Sequence, residues 1–124
     1  MFTSTVLWGK TGSAEFFCDN DWLYTLDGRP IAYIERDGAV FTTSGQHVAW
    51  LQGGVLRDKH GYCLAVGDQA DDLMHPPLAG GTRMQVQPNM KYSYLCPPLT
   101  MLASPPPVPR YGWSGVNARE VLSN

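Results

Sequence analysis

The sequence predicts an all-β domain of four tandem β-hairpin repeats about a pseudo-four-fold axis, followed by a proline-rich extended arm and a short C-terminal helix. Three observations carry this expectation. Glycines recur at Gly12, Gly28, Gly45 and Gly61, spaced by 16, 17 and 16 residues. Around each glycine the same apolar positions return, which marks an internal repeat. Between the glycines lie short runs of β-formers such as Tyr33, Ile34, Val40, Phe41 and Val48, too short and too often broken by turns to be helices.

The first repeat is the least regular. Leu7 lies five residues before Gly12 and Phe17 five after, so the frame holds. Glu15 and Phe16, however, stand where the later copies carry an aliphatic residue and an alanine. Terminal repeats commonly depart from the consensus. The second repeat contains DGRPIAYI (27–34), the third SGQHVAWL (44–51) and the fourth HGYCLAVG (60–67). In these three, Ala32, Ala49 and Ala65 lie four residues after the glycine, and Leu23, Val40 and Leu56 lie five before it. Asp27-Gly28 is a strong hairpin signal, because glycine accepts the positive φ of tight turns. Ser44-Gly45 and His60-Gly61 are weaker forms of the same signal. Asp37-Gly38 and Gly53-Gly54 mark turns between the units.

Strand alternation predicts that Ile31 and Tyr33 share one face while Ala32 takes the other. The same reasoning groups Val48 with Trp50 against Ala49, and Leu64 with Val66 against Ala65. An alanine face is expected where equivalent strands crowd a common axis; the alternative is an ordinary meander in which alanine fills a shallow spot.

Residues 1–124 are read as one domain, with hairpins over 6–67, the arm over 68–110 and a C-terminal segment over 111–124. Nine of the ten prolines fall between Met74 and Pro109. Yet that stretch also holds Met84, Val86, Met90, Tyr92, Tyr94, Leu95, Leu99, Met101 and Leu102. So many apolar residues predict an arm packed on the body from Met84 to Leu102, with Trp113 buried at its end. Thr82–Gln87 and Met90–Leu95 are candidate short strands. Ser114 is a candidate cap for a short helix holding Val116, Ala118, Glu120, Val121 and Leu122.

The length of 124 residues fits one domain with a real core. Net charge is only −2 and no segment is densely basic, so no nucleic-acid partner is expected. No apolar run reaches membrane-spanning length, and the start carries no secretory pattern. The cysteines, Cys18, Cys63 and Cys96, are odd in number and far apart. That predicts a reducing, cytoplasmic setting without a disulfide framework.

The unit G-x-x-[I/V/L]-A-[Y/W] appears as GRPIAYI and GQHVAWL, and in looser form as GYCLAV; PPPVPRYGWS then precedes the helix. In this order the chain resembles the bacterial four-fold β-flower proteins over nearly its whole length. The resemblance implies four petal-like hairpins about a pseudo-four-fold axis. It implies no activity and carries no catalytic residues over. The chain departs from the pattern in its first petal and at Tyr62-Cys63 in the fourth.

Chemistry-bearing residues are few. His47 and Cys63 share a register two residues after their glycines, and His60 neighbours Cys63. Zinc sites usually take four ligands from short-spaced pairs, and Ala14 and Pro30 fill the other two equivalent positions. No metal and no cofactor are therefore expected. Cys63 with His47 or His60 is the one nucleophile–base pair available to an enzyme; a small buried cysteine is the plainer reading. The aspartates sit mostly at turns, and Gly80-Gly81 lacks the lysine and helix of a phosphate loop.

Trp8, Tyr24 and Phe41 lie four residues before a repeat glycine, and Trp50 five after one. Either both faces of the hairpins are buried, or these four residues form an exposed rim that binds sugar, peptide or another subunit. The expected function is a non-enzymatic structural or protein-interaction module, possible partners being a second copy or another protein. The alternatives are a small-ligand module using the rim or axis, and an enzyme with a Cys/His site.

Overall fold

The computed structural model describes residues 4–19, 21–67, 70 and 105–122. Its strands are β1 (Ser4–Trp8), β2 (Ala14–Asp19), β3 (Trp22–Tyr24), β4 (Pro30–Ile34), β5 (Ala39–Thr42), β6 (His47–Gln52), β7 (Val55–Arg57) and β8 (Cys63–Gly67), followed by helix α1 (Ala118–Leu122). All neighbours are antiparallel, and β8 returns to pair with β1 through Leu7↔Gly67 and Trp8↔Val66. The sheet is thus a closed barrel, which leaves no unpaired edge.

The hairpins β1–β2, β3–β4, β5–β6 and β7–β8 are the four repeats. Each pairs its leading aliphatic with the residue four beyond the glycine: Leu7↔Phe16, Leu23↔Ala32, Val40↔Ala49 and Leu56↔Ala65. All eight side chains are buried in one cluster shared by the four hairpins. The crowded axis expected from the alanines is therefore present. Phe16 takes the place that three alanines hold elsewhere, and fills from one hairpin what the others leave small.

Directly after each aliphatic the register slips by one, at Leu7/Trp8, Leu23/Tyr24, Val40/Phe41 and Leu56/Arg57. The bulged residues are Glu15, Ile31, Val48 and Leu64. These bulges correct the simple alternation expected from sequence. Ile31, Val48 and Leu64 pack into the central cluster beside the alanines. Tyr33, Trp50 and Val66 belong instead to three separate outer clusters. A bulge sets two residues against one, so strict alternation fails across it.

The turn at Gly28 is representative. Its N–H donates to the Thr25 carbonyl at 3.0 Å, the Thr25 N–H donates to the Arg29 carbonyl at 2.8 Å, and φ is +92°. This is a three-residue loop with glycine in the left-handed region. Matching bonds close the turns at Gly12, Gly45 and Gly61. The side chain three before the glycine adds a further bond: the N–H of the residue after the glycine donates to Thr25 Oγ1, Thr42 Oγ1 or Asp58 Oδ1.

The C-terminal segment lies along the fourth hairpin. The Cys63 N–H donates to the Gly112 carbonyl at 2.9 Å, and the Ser114 N–H to the Cys63 carbonyl at 2.8 Å, giving a parallel bridge at Trp113. Trp113 is half-buried against Val55, Cys63 and Val66, less enclosed than expected. Helix α1 then joins the central cluster through Ala118 and Leu122. Its cap is Asn117, whose Oδ1 accepts the Arg119 N–H at 2.8 Å; Ser114 lies too far before the helix to cap it, its hydroxyl donating to Asp58 and accepting the Val116 N–H at 3.3 Å, and Val116 lies outside the helix. Met84–Leu102 and the candidate strands Thr82–Gln87 and Met90–Leu95 lie outside the described residues. Pro105–Arg110 is mostly exposed. Among the described residues no helix is long and apolar enough to cross a membrane.

Candidate functional site

The aromatic residues singled out from sequence lie inside the fold. Trp8, Tyr24, Phe41 and Trp50 are all buried, Trp8 being the most exposed at 4%. Tyr24 packs with Phe17 and Trp22, and Phe41 and Trp50 pack with Ala39. An exposed rim of these four is thus overturned, and the reading in which both hairpin faces are buried holds. The bulged register sets Trp8, Tyr24 and Phe41 opposite Ala14, Pro30 and His47.

Of the Cys/His candidates, His47 and Cys63 are likewise buried, whereas His60 is exposed. His47 Nε2 lies 2.9 Å from the Ala49 carbonyl, and its ring packs on Phe41 and edge-on to Trp50. Burial holds its pKa below the ordinary histidine value. Cys63 is buried, and Arg57 Nη1 approaches its Sγ at 3.5 Å. Burial pushes the Cys18 thiol up to about 11, with Asp19 and Asp21 adding to the effect, so it is a poor nucleophile at neutral pH. Asp19 is itself raised, by burial and by Asp21. Among the described residues no three His, Cys, Asp or Glu side chains group as metal ligands.

The fourth hairpin differs from its siblings. Where the others place Trp8, Tyr24 and Phe41 four residues before the glycine, this one places Arg57, fully buried. Arg57 Nη1 donates to the Gly61 carbonyl at 2.7 Å and to the Arg110 carbonyl at 3.0 Å. The guanidinium thus ties the turn to the C-terminal segment, its bonds offsetting the desolvation of a buried charge. Gly61 permits the approach: a Cβ there would meet the Val108 carbonyl oxygen at 2.1 Å, at a φ of +95°. Asp58 completes the junction. Its Oδ1 accepts the N–H groups of His60 at 2.9 Å and Tyr62 at 3.0 Å, and its Oδ2 accepts the Ser114 hydroxyl at 2.6 Å. Beside this junction opens a cleft of about 440 Å³, lined by Val48, Asp58, Lys59, His60, Tyr62, Ser114, Gly115, Val116 and Val121.

The family model described as "4-fold beta flower protein" matches residues 5–122. The chain belongs to this family. No curated protein and no solved structure matches it. The departures of this flower from its own repeat now have structural reasons. In the first petal, Phe16 fills the axis and Glu15 pairs with Arg119 of α1 at 3.6 Å. In the fourth petal, Cys63 lies where the C-terminal strand docks, and Tyr62 stands under the Arg110 guanidinium. Arg57 escapes sequence reasoning, although one signal could have found it. The position four before the glycine reads Trp8, Tyr24, Phe41, Arg57, and a single cation in an aromatic series asks for a partner.

Proposed function

We propose that the chain is a non-enzymatic interaction module in which the closed flower holds the C-terminal segment rigid for a protein partner, a second copy or another protein. One observation carries this reading. Among the described residues, the large exposed apolar side chains are Tyr62, Val108, Tyr111 and Val116, all on the fourth petal's turn or the C-terminal segment. Val108 is 76% exposed and Tyr111 61%, in a segment otherwise fixed by Arg57, Cys63 and Asp58. Apolar groups held out to solvent on a rigid support suit protein contact. The free thiols of Cys18 and Cys63 support a reducing, cytoplasmic setting, and the family resemblance supports a bacterial source.

A photo-crosslinking residue at position 111 in the full chain tests this, with exposed Gln46 as the control position. Expressed in a bacterial host, and at raised concentration in purified form, position 111 should give discrete adducts that position 46 does not. Sedimentation then separates self-association from a foreign partner. Equal labelling at the two positions would overturn the reading. The enzyme alternative rested on Cys63 with His47 or His60. Cys63 is buried and His47 is turned onto its own strand, so it is not proposed. The small-ligand alternative loses the rim and the axis, both filled by core side chains.

A further inference from the structure

We infer that the cleft between the fourth petal's turn and the C-terminal segment binds a small organic carboxylate with an apolar body. The cleft shares Tyr62 and Val116 with the surface proposed for protein contact, but Val108 and Tyr111 lie outside it, so crosslinking at position 111 and ligand titration in the cleft test the two readings separately. A space of about 440 Å³ is of the size that small molecules occupy. Val48, Val116, Val121 and the Tyr62 ring supply apolar walls, as such sites require.

The polar groups decide the sign of the ligand. Among the described residues Asp58 is the one acid lining the cleft, and its carboxylate already accepts three hydrogen bonds, from His60, Tyr62 and Ser114. It therefore has little left to offer a cationic ligand. Lys59 and His60, by contrast, are exposed, and Lys59 enters no ion pair among the described residues. Arg110 adds positive charge from above, its guanidinium carbon 5.7 Å from the Tyr62 ring centre. A satisfied acid among basic side chains favours an anionic head, and the valines favour an apolar body behind it.

The test is an amide-resolved NMR titration of the full chain with 4-phenylbutyrate, 4-phenylbutanol and 4-phenylbutylamine. The carboxylate should shift Tyr62, Ser114, Val116 and Val121 and saturate at millimolar levels or below. The alcohol should bind about tenfold more weakly, a loss of about 1.4 kcal/mol, and the amine more weakly still. The double variant Lys59→Gln/His60→Gln alters exposed side chains and should melt with the wild type. Its affinity for the carboxylate should fall to that for the alcohol. Saturation by the alcohol or amine at the carboxylate's concentration would overturn the inference. So would shifts confined to other surfaces, no saturation by the carboxylate, or an unchanged double variant.

Discussion

Ala49 shows how little room the axis leaves. It faces Val40 across its hairpin, is fully buried, and shares its cluster with Leu7, Phe16, Leu23 and Leu56. Ala49→Leu should overpack this centre and cost about 1–3 kcal/mol, read as a lowered denaturation midpoint; an unchanged midpoint would mean that the face is open. His47 makes a prediction about pH. Burial lowers its folded pKa below the reference of 6.5, so the folded state resists a proton that the unfolded chain accepts. The associated stability is complete above about pH 6.5 and is lost as pH falls from there through the folded value. Melts between pH 7.5 and about 4.5 should steepen below that point, and His47→Gln should flatten this part of the profile. The alanine register was visible in the sequence because each copy repeats it. The role of Glu15 was not, because its partner Arg119 comes from an element outside the repeat.

The petals themselves were legible as hairpins because their turns need glycine at fixed positions. Which side chains face the axis was legible only in part, since four bulges interrupt the alternation that a strand otherwise imposes. The fourth petal breaks the aromatic series at Arg57, which with Asp58 and Cys63 holds the C-terminal segment against it. Arg57→Phe would restore the aromatic pattern of the other petals but delete the bonds to Gly61 and Arg110. Amide exchange should then quicken at Cys63 and Ser114, whose N–H groups bind across the junction, while the third petal stays protected. Equal protection in variant and wild type would show that the contacts of Asp58, Cys63 and Trp113 secure the segment without Arg57.

For the molecule as a whole, α1 is expected to matter more than five residues suggest. Leu122 and Ala118 are buried in the central cluster, so the barrel core includes side chains from outside the barrel. A chain ending at Asn117 should lose about 2–4 kcal/mol, the scale of deleting a buried leucine, and should bind an apolar dye; a melt unchanged by the deletion would place α1 outside the core. The helix was foreseeable from sequence, but its cap was not: Ser114 and Asn117 are both good cap residues, and the helix begins only at Ala118, directly after Asn117 and too late for Ser114 to cap it. The closed ring has one more consequence, for the order of assembly. Each petal and each join between successive petals is local, whereas Leu7 must find Gly67 across 60 residues. Loop closure over that distance is entropically costly. The β1–β8 seam is therefore expected to close last and slowest, and until it forms the chain carries two bare sheet edges. Dilution during refolding favours sealing within one molecule, while crowding offers each edge a neighbour's, so the same seam that makes the finished flower self-contained is where chains would exchange petals.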